Sequence, residues 1–336
     1  MQAIAAVFSV PPESNDPPDE RRFIVEKSSS NKLLYILPLL AGFMWGSEGT
    51  FVRWLGSAGF ANINIVSVRM VFSVIIMFLW ILIYDRSLFK IKLKDIWLFI
   101  IAGLIGMLAL NFCYNEAILN VPISLAAVLL DLAPIFVMIL SAFIFRESTT
   151  ARKWICAFIS IFGCVLVSGL IQNGMGGNWN RGIIFGLMAT LFYALYTVFA
   201  NATLNRSYSV YTIVFYSVVT IHVVLIPFSD YSLMIDYVQS SPVKSILTLI
   251  GNSMFISVLP YIFFTGALKY LDSGFTAILA SGTEPIAATI FGMVFFSEMP
   301  KALQVVGVII VVVAIAVLCL PDKNASSGGE VDSAAA

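Results

Sequence analysis

Residues 276–298 read TAILASGTEPIAATIFGMVFFSE, and residues 126–147 read AAVLLDLAPIFVMILSAFIFRE. Both are almost wholly apolar, yet the first holds Glu284 and Pro285 in its middle and the second holds Asp131 and Pro134. Pro134 and Pro285 stand 151 residues apart, and so do Glu147 and Glu298. An acid beside a helix-disturbing imide is costly in an apolar run. The proline and the glutamate at the end of the run recur at one offset, which points to a duplicated architecture.

The rest of the chain sets the solvent in which that architecture lives. Of 336 residues, 60% are hydrophobic and only 11% charged, with a mean hydropathy of +0.95. A soluble domain carries about a quarter charged residues. So few charges cannot cover a water-facing surface, and an all-α integral membrane protein is expected. The formal net charge is zero, which by itself is silent on partners. The expected ones are the lipid bilayer and a small-molecule substrate. No nucleic acid is expected, and a homodimer is left open. Cys113, Cys156, Cys164 and Cys319 all lie in apolar runs and show no metal-ligand spacing. They read as small hydrophobes, and neither a metal nor another cofactor is expected. The first residues lack the basic flank and small-residue cleavage pattern of a signal peptide. Residues 1–32 and 321–336 are expected to be disordered cytoplasmic tails.

A spanning helix needs roughly 20 apolar residues. Ten runs qualify, near 33–55, 60–84, 95–119, 121–145, 152–172, 181–204, 208–228, 245–269, 273–297 and 301–320. With the N-terminus inside, fourteen Lys and Arg residues fall on the cytoplasmic side and four outside, while Arg69 lies within a span. That bias sets the orientation, with both termini cytoplasmic and the cell membrane as location. The offset of 151 divides the spans into repeats at 33–172 and 181–320. AGFMWGS (41–47) corresponds loosely to ATLFYAL (189–195). Five spans is an odd number, so the repeats must insert in opposite senses. Inverted repeats around a central cavity are the plan of secondary transporters.

The residues also carry a family resemblance. Trp45-Gly46-Ser47, Arg69, Ala133-Pro134-Ile135-Phe136 with Arg146-Glu147, and Glu284-Pro285 with Ser297-Glu298 occur in an order that resembles the drug/metabolite transporter superfamily, specifically EamA-type permeases. The resemblance covers about residues 33–320. It implies ten-helix carriers of amino acids, amines, carboxylates and other small metabolites, often moving them outward. It also implies a cavity lined chiefly by the first, third and fourth helices and their counterparts.

Candidate site residues come from the polar groups inside spans. A charge at bilayer centre costs roughly 3 kcal/mol even on the lenient insertion scale, and Glu48, Arg69, Asp131 and Glu284 all sit deep. Arg69 can be neutralised by Glu48 or Asp131 as a structural pair, or it can face substrate. Three acids against one base leave two carboxylates to be protonated or to meet a cationic substrate group. Glu284 leads, because Pro285 cannot donate a backbone hydrogen bond and disturbs the preceding turn, freeing carbonyls near Ser281. Asn111 and Asn115 share a helical face at i, i+4, with Tyr114 adjacent. Trp45, Tyr193, Tyr196 and Tyr261 are aromatic candidates for the cavity wall. Glu147 and Glu298 read as caps for the helices that follow them. Without a GxxxxGK[ST] motif the chain is not expected to hydrolyse ATP. A lone His222, no HExxH and no nucleophile–base pair argue against an enzyme. A channel or sensory scaffold of the same fold remains the alternative.

Overall fold

The computed structural model describes residues 32–120, 126, 129–147, 149–167, 180–297 and 299–320, and every regular element among them is helical. In chain order these are α1 (Ile36–Trp45), α2 (Glu48–Ser57), α3 (Asn62–Tyr84), α4 (Leu93–Ala117), α5 (Ala133–Phe145) and α6 (Ala151–Val167). They continue as α7 (Asn180–Leu204), α8 (Val210–Phe228), α9 (Tyr231–Ser240), α10 (Pro242–Leu268), α11 (Ser273–Phe296) and α12 (Ala302–Leu318). Six of them, α3, α4, α7, α8, α10 and α11, are long and apolar enough to cross a bilayer. Large apolar side chains point outward along them and their neighbours: Ile83, Phe143, Phe158 and Val294 are all more than half exposed. Water would penalise such a surface, whereas acyl chains match it. The chain is a membrane protein.

Three features depart from the sequence expectations. The run at 33–55 is broken at Gly46–Ser47, so α1 and α2 are separate helices. The Ser47 hydroxyl donates to the Met44 carbonyl at 2.6 Å, the local bond by which serine competes with a continuing helix ladder. In the run at 121–145, a turn at Asp131–Leu132 precedes α5. Pro134 therefore lies in the first turn of α5, where a missing N–H costs nothing. Its sequence counterpart Pro285 lies inside α11, which runs on through it. The third departure is α9, a helix lying between the expected spans 208–228 and 245–269. The Asp230 side chain accepts from the Leu233 N–H at 3.1 Å and caps α9.

Other features recur at the offset of 151. Arg146 and Ser297 both adopt left-handed backbone, with φ of 57° and 56°, and end α5 and α11. Non-glycine residues adopt that conformation rarely. A π-helical segment at Ala102–Leu108 in α4 is matched by one at Met254–Val258 in α10. Packing follows the same pattern: α1 lies against α11 and α10, and α7 lies against α5 and α4. At atomic detail, Gly42 of α1 is pressed on the Ala280 carbonyl, where any Cβ would clash. On α7, Thr190 donates to the carbonyl of Leu129, 151 residues before Ala280, at 2.6 Å. Pairs α3–α8, α5–α11 and α6–α12 complete the bundle.

Candidate functional site

Close approach of α1 to α11 builds the centre of the molecule. A Cβ on Gly46 would stand 2.5 Å from the Glu284 carbonyl oxygen and 2.6 Å from the Ala287 Cβ. Gly42 and Gly46 thus form a small-xxx-small face that lets the two backbones nearly touch. Their contact brings Trp45 and Glu48 beside Glu284.

These residues share a half-open cavity of about 30 Å³ with Asn111, Tyr114, Tyr193, Tyr196, Tyr261, Leu110, Leu130 and Ile256. Eight of the twelve sequence candidates line it: Trp45, Glu48, Asn111, Tyr114, Tyr193, Tyr196, Tyr261 and Glu284. Its volume suffices for about one water. The wall is aromatic. Trp45 meets Tyr261 at 5.2 Å and Tyr193 at 6.1 Å between ring centroids, both edge-on, and Tyr196 meets Tyr261 at 5.0 Å. The Tyr196 and Thr265 hydroxyls are hydrogen-bonded at 2.8 Å.

Both π-helical segments deliver backbone carbonyls to this wall. A π-turn shifts the hydrogen-bond ladder and leaves a carbonyl for other donors. In α4 the Asn111 amide donates to the Met107 carbonyl at 2.7 Å. In α10 the Ile256 carbonyl accepts from the Trp45 indole N–H at 3.2 Å. Neither segment was legible in the sequence, since AGLIGML and MFISV carry no marker of a widened turn.

The other four candidates stand outside the lining. Arg69 is 1% exposed, and its Nη1 pairs with Glu48 Oε1 at 2.9 Å. Of the two partners open to it in the sequence, the structure uses Glu48. Asp131 is buried at the turn before α5, beside the Cys164 thiol, and its Oδ2 has no hydrogen-bond partner among the described residues. Asn115 does not face the cavity with Asn111; its side-chain amide donates to the side-chain Oδ1 of Asn62 at the start of α3. Ser281 is buried beside the Tyr193 hydroxyl without a well-formed bond to it. Leu110, Leu130 and Ile256, which do line the cavity, are apolar residues in apolar runs and offered no signal.

At one end of the bundle the structure corrects the reading of Glu147. It caps α11, not the helix that follows it. Its carboxylate accepts from the Ser273 N–H at 3.0 Å, the Ser273 hydroxyl at 2.8 Å and the Asn201 amide at 3.2 Å. Asp272, next in line, pairs with Lys153 at 2.6 Å. Four helices, α5, α6, α7 and α11, are tied together there. Glu298 lies outside the described residues.

Among the described residues no three His, Cys, Asp or Glu side chains gather as a metal-holding group. What the site offers is an aromatic chamber with carboxylates from two helices, inside a membrane protein. Buried carboxylates beside interrupted helices are features of membrane transporters. The sequence model of the EamA-like transporter family matches residues 32–169 and again 180–320, and the chain belongs to that family.

Named relatives agree at low identity. The pseudopaline exporter CntI of Pseudomonas aeruginosa is 24% identical over 292 residues, covering 86% of this chain and 96% of its own. The uncharacterized transporter YxxF of Bacillus subtilis is 26% identical over 190 residues, 56% of this chain and 59% of its own, under two thirds of that protein's length. A solved crystal structure superposes with a TM-score of 0.69 at 15% identity, covering 89% of this chain and all of that one. That likeness concerns the fold alone.

Proposed function

We propose that this protein is a secondary transporter of a small metabolite of the amino acid, amine or carboxylate class, working by alternating access in the cell membrane. Ten crossings form two inverted five-helix repeats, 33–172 and 181–320, with both termini cytoplasmic. The paired packing of α1 and α7, the two left-handed helix ends and the double family match support that plan. One observation carries the function: Glu48 and Glu284, half-buried on different helices, share one aromatic cavity inside the bundle. A carboxylate in such a place is held there for a cationic partner or a proton.

With Glu48 engaged by Arg69, Glu284 is the acid left for the solute, which favours a substrate bearing an amino group. Tyrosine rings supply a face for that cation. A cavity of about 30 Å³ admits no metabolite, so binding requires helices to part. The ties among Glu147, Ser273, Asn201, Lys153 and Asp272 are the contacts that opening on the cytoplasmic side would break. Outward net transport is the direction printed in the name of the Pseudomonas aeruginosa relative, and we adopt it here.

Reconstituted vesicles provide the test. Glu284→Gln should abolish counterflow of a labelled amino-bearing solute while the melting temperature stays within a few degrees of the parent. Unchanged counterflow would remove Glu284 from the mechanism. Flux that never saturates would replace the carrier with a channel.

A further inference from the structure

Away from the central cavity, a second recess of about 550 Å³ opens where α4 begins and α7 ends, lined by Lys92, Lys94, Asp95, Trp97 and Arg206. Its parts are fixed to one another. Asp95 is buried and both its oxygens are engaged: Arg206 Nη1 pairs with Oδ1, and the Tyr208 hydroxyl donates to Oδ2 at 2.7 Å. The Tyr208 oxygen in turn accepts the Lys92 backbone N–H at 3.1 Å. The Arg206 guanidinium stands 5.7 Å from the centre of the Trp97 ring. Asp95 is thereby spent on Arg206. Lys92 and Lys94 form no ion pair among the described residues, so three cations face the recess against one committed acid.

An apolar strip begins at the same place. Leu93, Ile96, Trp97 and Ile100 follow the i, i+3, i+4, i+7 spacing of one helical face, and all four are exposed, Leu93 by 84%. A tryptophan at the junction of a basic recess and an apolar strip sits as interfacial aromatics do, one side dry and one side wet. Basic pockets between membrane helices are suited to anionic headgroups.

We propose that this recess binds the headgroup of an anionic phospholipid, its phosphate against Lys92, Lys94 and Arg206 and an acyl chain along the Leu93–Ile100 face. A soluble phosphate ester would meet the same cations and leave the strip unused. The strip therefore selects the lipid.

Native mass spectrometry of the full-length protein, released from micelles of mixed phosphatidylglycerol and phosphatidylcholine, tests this and does not depend on which way the chain is inserted. The parent should retain phosphatidylglycerol in preference to phosphatidylcholine. K92Q/K94Q, at two exposed positions, should lower that retention by roughly thirtyfold. W97A should lower it with no change of charge, whereas R86Q/K90Q, which removes equal charge from the adjoining loop, should leave it intact. Equal losses in the two double variants would reduce the effect to diffuse attraction and overturn the site. So would equal retention of both lipids, or glycerol phosphate binding as tightly as the lipid.

Discussion

The guanidinium of Arg69 and the carboxylate of Glu48 meet at 2.9 Å, joining α3 to the start of α2 just beside the central cavity. Arg69 is almost wholly buried, and its Nε and Nη2 have no other hydrogen-bond partner among the described residues. Truncating one member of a buried pair leaves an uncompensated charge, at a cost of about 3–5 kcal/mol. Arg69→Met should therefore lower the melting temperature in detergent markedly, and adding Glu48→Gln should restore part of it. An unchanged melting temperature in the single variant would mean that the pair does not hold these helices.

Two glycines three positions apart, Gly46 and Gly49, provide an internal comparison. Gly46→Ala would drive a methyl into the Glu284 carbonyl and the Ala287 side chain, whereas Gly49→Ala meets nothing within 4 Å. Overpacking of this kind costs about 1–3 kcal/mol, and it would also push Glu284 away from Trp45. Gly46→Ala should lose both stability and transport. Gly49→Ala, in α2, should gain about 0.5–1 kcal/mol from helix propensity. Thermal melting of the two variants side by side checks both signs.

Trp45→Phe keeps a ring in the aromatic wall and removes the N–H that satisfies the Ile256 carbonyl. Loss of that hydrogen bond should cost about 1 kcal/mol. Hydrogen exchange should rise across Met254–Val258, and exchange unchanged from the parent would show that the π-helical segment does not depend on Trp45.

Glu147 supplies a pH dependence. Burial, together with the neighbouring Asp272 carboxylate, pushes its pKa above the usual glutamate value, outweighing the Ser273 bonds and Lys153 that favour the charged form. The folded protein thus holds a proton there more tightly than the unfolded chain. Its contribution is complete below the ordinary glutamate pKa of about 4.3 and is lost as pH rises through the raised folded value. The stability of the parent relative to Glu147→Gln should fall across that window. A difference that stays flat with pH would show that Glu147 is not held in this way.

Much of this protein can be read without coordinates because lipid imposes a strict demand. Scarce charge forces a membrane solvent, long apolar runs force helices that satisfy their own backbone, and a 151-residue recurrence marks duplication. Deep acids stand out in such runs, which is why Glu48 and Glu284 were visible as candidates. Other decisions were made only by packing. Pro134 and Pro285 align in sequence, yet one starts a helix and the other rides inside one. Asn111 and Asn115 share a helical face, yet only the first reaches the cavity. Glu147 caps a helix 126 residues away. A one-dimensional pattern records which residues are costly to bury, but partners are chosen by how closely backbones approach. At Gly42 and Gly46 that approach is set by the surface of another helix, which no local stretch of sequence contains.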